Sequence, residues 1–302
     1  MRCDMNEEKR KGGIMKKRRF AAVLLLLLLA GILGGCGKQE DKTTEGDKDA
    51  AAAETSGLSS DSTTLTVATN PGVHADILNK AAEILSGKGV QLEIFTYEDY
   101  YMPNLLVDDG DADANYFQHE VYLENFNKSL DTHLVSVGSV HFEPLGIYPG
   151  QKKSISDLTN GDVIVIPEDA TNKTRALKLL QNVGIVSLTQ GKDELTLSDI
   201  TENPYGVNIV PEEASLIPTM VQDAAFIVLN GNYARDSFLS VTKDALAYEN
   251  AESSECDPYW NVLAVNEGNE NDPRIQKLIE VLQSQEMKDY INNSYDGTAI
   301  TR

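Results

Sequence analysis

Cysteine is nearly missing from this chain. Three of its 302 residues are Cys, at positions 3, 36 and 256. Cys3 and Cys36 precede the folded region argued below, so Cys256 stands alone within it. That excludes an internal disulfide and a cysteine-based metal cluster. Histidine is scarce as well: His74, His119, His133 and His141 are all there is, which leaves little for a zinc site. His119-Glu120 hints at a metalloprotease helix, but Leu123 stands where His-Glu-x-x-His needs its second histidine. No Gly-x-Ser-x-Gly nucleophile elbow occurs. An enzyme is therefore not expected, and neither a metal nor a cofactor is called for. Basic charge is in deficit: 26 Lys and Arg stand against 47 Asp and Glu, a formal net charge of −21. Such a surface argues against nucleic acid and against anionic lipid headgroups as partners. No internal repeat with a fixed short period is seen. Long apolar runs are absent with one exception, Ala21 to Leu33, which is short for a membrane span.

That exception has a meaning of its own. Met15-Lys-Lys-Arg-Arg-Phe20 is a positively charged lead-in, and Ala21 to Leu33 has the length of a signal-peptide apolar core. Leu33-Gly34-Gly35-Cys36 then looks like a bacterial lipobox, cleaved before a cysteine that carries lipid. Residues 1–35 read as a lipoprotein signal peptide, with Met15 a candidate true start, and Cys36 as the lipidation site that holds the protein to a membrane by acyl chains. The rival reading is a transmembrane anchor that happens to end near a cysteine. Residues 36–63 are Asp, Glu, Lys, Thr, Ser, Gly and Ala with almost no large apolar side chains, which predicts a disordered acidic tether. Residues 1–35 hold eight Lys or Arg and three Asp or Glu, so the part after them carries −26. The expected location is the cell membrane, lipid-anchored and facing outside the cytoplasm.

From Thr64 onward strands and helices alternate. Thr64 to Thr69 alternates as a strand, His74 to Leu85 has helical apolar spacing closed by Gly87 to Gly89, and Val90 to Phe95 is a second strand. A short helix through Val107 follows. Leu134 to Phe142 is a long strand. Glu143 to Pro149 leaves it as a crossing. Val163 to Ile166 is a buried strand ahead of a helix through Val183. Further on, Val207 to Val210 reads as a strand, Ala214 to Val221 as a helix containing Pro218, and Ala224 to Leu229 as a buried strand. Trp260 to Val265 is the last strand, and Arg274 to Leu282 an amphipathic helix that Glu286 to Tyr295 continues. The order implies an α/β protein of parallel sheets flanked by helices, in two lobes that close like a clamshell. Lobe 1 is placed at 64–143, with a return at about 245–302, and lobe 2 at 144–244.

The densest chemistry lies in Asn115-Tyr-Phe-Gln-His-Glu-Val-Tyr122, where a strand end passes straight into a helix. Open α/β sheets place ligands at such junctions. Taken alone these residues read more simply as core aromatics and a structural histidine, Arg175 as an exposed helix arginine, and Asn230-Gly231 as turn chemistry.

Taken together the motifs resemble the methionine-binding lipoproteins of bacterial ABC importers, the NlpA-type family. The resemblance runs through Asp99-Tyr-Tyr-Met-Pro-Asn104, Asn115-Tyr-Phe-Gln-His119, Val140-His-Phe-Glu-Pro144 and Pro167-Glu-Asp-Ala-Thr-Asn172 with Arg175. It continues through Thr201-Glu-Asn-Pro204, Asn230-Gly-Asn-Tyr-Ala234 and Asn271-Asp-Pro-Arg-Ile-Gln-Lys277, covering nearly all of 64–302. It implies a periplasmic-binding-protein clamshell of type II, a monomer that delivers methionine, as the L form first, to a membrane permease powered by an ATPase. The ligand-binding positions it implies are Tyr100, Phe117, His119, Arg175, Asn230 and Asn261. D-methionine, a methionine-containing dipeptide, another small amino acid, or a surface-adhesin role remain alternatives. Leu216, Trp260 and Leu229 depart from the family pattern, and the first two bear on the ligand more than on the fold. The residue chemistry is consistent with an amino acid: Arg175 suits a carboxylate, the Asn230 and Asn261 amide oxygens suit an ammonium, and Tyr100, Phe117 and His119 suit a thioether. With Arg175 facing the cleft, its removal is expected to weaken binding and leave the unliganded fold nearly as stable as before.

Overall fold

The computed structural model describes residues 63–302; the expected signal peptide, Cys36 and the tether up to residue 62 lie outside the described residues. The elements begin with β1 (Thr64–Thr69), α1 (Val73–Ser86), β2 (Gln91–Thr96), α2 (Met102–Asp108), β3 (Ala114–His119), α3 (Glu120–Leu130) and β4 (Leu134–Phe142). There follow β5 (Gly146–Pro149), β6 (Val163–Pro167), α4 (Ala170–Asn182), β7 (Ser187–Leu188), β8 (Ile200–Glu202), β9 (Asn208–Glu212), β10 (Phe226–Leu229) and α5 (Gly231–Asp236). The chain closes with β11 (Ala247–Tyr248), β12 (Trp260–Asn266), α6 (Pro273–Leu282) and α7 (Gln285–Ser294).

Local sequence explains most of these. In β1, Leu65 and Val67 are buried while Thr64 and Thr66 are half-buried, the period-2 pattern of a strand. In α1, Ile77, Leu78, Ala81 and Leu85 lie on one buried stripe. Asp169 caps α4, its side chain accepting from the Asn172 N–H. Ala214 to Val221 is not an α-helix: a short 3-10 turn, Ile217–Met220, starts there instead, with Pro218 in its first turn. Pro218 can donate no backbone bond to extend it.

Two five-stranded sheets result, in the orders β2-β1-β3-β12-β4 and β11-β5-β10-β6-β9. In the first, β1 runs parallel to β2 and β3, while β12 runs antiparallel to β3 and β4. In the second, β6 runs parallel to β9 and β10, while β5 runs antiparallel to β10 and β11. The expectation of mainly parallel sheets is thus corrected to mixed ones. Parallel neighbours need a long crossover; β5 and β12 arrive from the other sheet and carry no such constraint. The segment 143–149, expected to cross between lobes, contributes β5, so the link is only Glu143 to Leu145. β11 also joins the second sheet, and β12 returns the chain to the first. Each sheet has its own apolar core. Leu65, Val67, Ile77, Leu278 and Met287 lie in one, and Ile147, Ile164, Leu177, Leu180 and Phe226 in the other. Among the described residues no helix is long and apolar enough to cross a membrane.

Candidate functional site

All six residues singled out in the sequence line one cavity, together with Gln118, Tyr122, Glu143 and Asn172. It contains about 320 Å³ of atom-free space, part of it open to solvent. The first sheet and its helices supply Tyr100, Phe117, His119, Tyr122 and Asn261. The second supplies Asn172 and Arg175 from α4 and Asn230, the N-cap of α5. The strand register brings distant parts together: Asn261 on β12 sits opposite His119 on β3 and opposite His141 on β4.

Aromatic rings form one wall. Tyr100 lies 5.9 Å from Phe117 and 5.9 Å from Tyr122, and Phe117 lies 6.1 Å from Tyr122, ring centre to ring centre. Such edges and faces favour a polarisable apolar group. His119 stands beside them. Its Nδ1 accepts from the Tyr122 N–H at 3.1 Å, so its proton sits on Nε2, which donates to Asn172 Oδ1 at 3.3 Å. Burial, and then the nearby Arg175 charge, push its pKa down to about 3. His119 is therefore a neutral donor at this site.

Arg175 differs from expectation. It is buried, and its fork is already paired: Nε donates to Glu249 Oε1 at 3.0 Å and Nη2 to Glu249 Oε2 at 2.5 Å. Nη2 also donates to the Glu143 carbonyl at 3.1 Å, and Nη1 to Asn172 Oδ1 at 3.1 Å. The guanidinium stacks over Tyr259, 4.6 Å from its centre. Burial works against its charge, and Glu249 outweighs that, so Arg175 stays ionised. Of its five N–H groups, one on Nη1 has no acceptor among the described residues. It can offer a ligand one charge-assisted bond and not the paired fork. Glu249 shows in the sequence only as one of many acidic residues, so nothing there pointed to it.

Asn172 collects three donors on one oxygen: His119 Nε2, Arg175 Nη1 and, at 2.9 Å, Asn230 Nδ2. A carbonyl oxygen has two lone pairs, so these donors converge on a point richer in hydrogen than one amide can use. Asn172 was not singled out in the sequence, although it stands in the quoted Pro167-to-Asn172 motif. Asn230 Oδ1 is buried and has no hydrogen-bond partner among the described residues. The Asn261 oxygen, expected to serve an ammonium, is instead bonded to His74 Nε2 at 3.0 Å. Neither Leu216 nor Trp260 lines the cavity: Leu216 is exposed, and Trp260 packs on Phe142 with Arg302 over its ring. Cys256 is buried and its thiol is pushed up to about 11, chiefly by burial, so it is an unreactive neutral thiol.

The chemistry available is recognition. Charged-ligand donors, an unpaired acceptor and an aromatic wall face one small space. Comparisons with known proteins agree with this. The model of a family described as NlpA lipoprotein matches residues 65–302. A methionine-binding lipoprotein, MetQ, of Bacillus subtilis is 36% identical over 83% of this chain and 92% of its own length. A D-methionine-binding lipoprotein MetQ of Escherichia coli is 34% identical over 76% of this chain and 84% of its own. Among solved structures, a nutrient binding protein from Burkholderia cenocepacia, bound to methionine, is similar with a TM-score of 0.74 and 33% identity, covering 78% of this chain and 98% of that one.

Proposed function

The chain belongs to the NlpA lipoprotein family, and from that premise we propose that it captures methionine between its two halves and delivers it to a membrane permease driven by an ATPase. One observation carries this reading. The cavity holds a buried acceptor without a partner among the described residues, Asn230 Oδ1, beside the charged Arg175 and the Tyr100, Phe117 and Tyr122 rings. An α-amino acid with a thioether side chain answers each: its ammonium meets Asn230 Oδ1, its carboxylate meets the free Nη1 hydrogen of Arg175, and its sulfur lies along the aromatic edges. The two halves act as lobes, one of about 64–143 with the return at about 245–302 and the other of about 144–244, and Cys36 carries the lipid that keeps the protein outside the cytoplasm at the membrane.

Isothermal titration tests the reading, with L-methionine, D-methionine, methionylmethionine and leucine titrated into protein stripped of ligand by unfolding and refolding. One methionine enantiomer is expected to bind at 1:1 and more tightly than leucine or the dipeptide. Absence of heat with every methionine compound, or conversion of the ligand in the cell, overturns it.

A further inference from the structure

His74, His141 and Glu143 form a buried cluster that reaches the cavity at Glu143, one of its lining residues. His141 Nε2 lies 2.9 Å from Glu143 Oε1, and His74 Nε2 lies 3.5 Å from the same oxygen. Glu143 Oε2 accepts the Asn232 N–H at 2.8 Å. Tyr116 Oη lies 2.5 Å from His141 Nδ1. His141 Nε2, His74 Nε2 and the Asn232 N–H can each donate to the Glu143 carboxylate, which sets the proton pattern. His141 carries its proton on Nε2 toward Glu143 and accepts from the Tyr116 hydroxyl at Nδ1.

His74 resolves in the same way. Its Nδ1 is buried and has no partner among the described residues. A proton there would be an orphaned donor, which is costlier than a bare lone pair. The proton is on Nε2, directed at Asn261 Oδ1 at 3.0 Å with Glu143 behind. Burial disfavours a charged His74, consistent with that neutral form. The Asn261 oxygen is therefore committed to the interior. The side Asn261 turns to the cavity it lines is its NH₂ group, which has no protein acceptor among the described residues.

We infer that His74, held in one tautomer by Glu143, is a positioning residue that makes Asn261 a hydrogen-bond donor to the ligand, so that the site selects for a free carboxylate. This rests on the amino-acid reading above. It gives the carboxylate two donors, Asn261 Nδ2 and Arg175 Nη1, and leaves the ammonium to Asn230. The chain of dependence runs from the Glu143 anion through the His74 Nε2–H and the Asn261 amide to the ligand. Without the His74 donor the amide is free to turn over and present oxygen to a carboxylate.

The test compares L-methionine with L-methioninamide, which keeps the ammonium and thioether and lacks the negative charge. Wild type is titrated first; its binding of methionine stands or falls with the proposed function and not with this inference. Given that binding, the preference for methionine over the amide is expected to fall by about ten- to a hundredfold in His74→Leu, the weight of one bond to a charged group. His74→Gln places an amide N–H near the Nε2 position and is expected to restore most of the preference. Thermal unfolding without ligand reports whether each variant is folded. Equal weakening toward both ligands in His74→Leu, or the same loss in His74→Leu and His74→Gln, overturns the inference. Should His74→Leu fail to fold, Asn261→Asp decides it: with oxygen on both sides that variant is expected to prefer the amide, and a retained preference for methionine overturns the inference.

Discussion

At the scale of single residues, the Arg175–Glu249 pair changes what a substitution does. The pair is buried on the arginine side and nearly so on the glutamate side. Removing one partner of such a pair costs about 3–5 kcal/mol, because the other charge is stranded. Arg175→Ala is therefore expected to weaken methionine binding and also to lower the midpoint of thermal unfolding of the ligand-free protein by about 10 °C. A scan without ligand checks it; an unchanged midpoint would mean Glu249 finds water or another partner. His119 gives a pH prediction. In the unfolded chain it takes a proton near 6.5, whereas in the fold it resists until about 3. Below 6.5 the unfolded state binds the extra proton, so His119 subtracts stability as pH falls through that window. By pH 5 the loss is about 2 kcal/mol, at about 1.4 kcal/mol per unit. His119→Asn, which keeps an acceptor for the Tyr122 N–H, is expected to lose about that much less than wild type between pH 7 and 5 in urea unfolding. Parallel losses would show that His119 is not the group responsible.

Among the elements, the N-terminus of α5 is the most tightly constrained. Gly231 is there for space and not for a left-handed backbone. A Cβ at Gly231 would come within 2.8 Å of Glu143 Cβ and 2.9 Å of the Thr298 carbonyl. Gly231→Ala must push α5 away from Glu143 and stretch the Asn232 N–H bond to its carboxylate. Overpacking of this kind costs about 1–3 kcal/mol, a fall of several degrees in unfolding midpoint for a domain of this size. Methionine binding is expected to weaken too, because Asn230 caps the displaced helix. A variant with wild-type midpoint and affinity would show that α5 has room to spare. Asn230-Gly231, which taken alone reads as a turn, starts α5; the reason for the glycine was not visible because both obstructing groups are far off in sequence.

For the whole molecule, the bonds that tie the halves together decide how readily the cleft shuts. The Tyr233 hydroxyl donates to the Glu98 carbonyl at 2.6 Å, and the Tyr100 hydroxyl to Asn232 Oδ1 at 2.7 Å. Tyr233 does not line the cavity, so Tyr233→Phe removes a closing bond and no ligand contact. One such bond is worth about 0.5–1.5 kcal/mol, and affinity is expected to fall up to about tenfold. Small-angle scattering with saturating methionine should show a larger fraction of open molecules; identical curves and affinity would count against closure by this bond. Attachment is checked separately: radiolabelled fatty acid is expected to mark the full-length chain and to be absent from Cys36→Ser, and undiminished label in the variant would sink the lipidation proposal.

Periodicity, punctuation by Gly and Pro, and ordered motifs were enough to place β1, α1, β6, α4, β10 and α6, because each is decided by neighbours only a few residues away in sequence. The six cavity residues were legible only through the family resemblance, since taken alone they read as core aromatics, a structural histidine, an exposed arginine and turn asparagines. β5 and β11 were not, since a strand of two to four residues is too short to carry a local pattern. The antiparallel placement of β12 was equally hidden, because strand direction depends on where the chain comes from. Above all, the polarity of the site was a tertiary matter. Nothing near Arg175 announces Glu249, 74 residues on, and nothing near Asn261 announces His74, 187 residues before it. Which residues meet is a question of sheet register; which of them stays charged, and which edge of an amide faces the ligand, follows only once burial has removed water as the alternative partner.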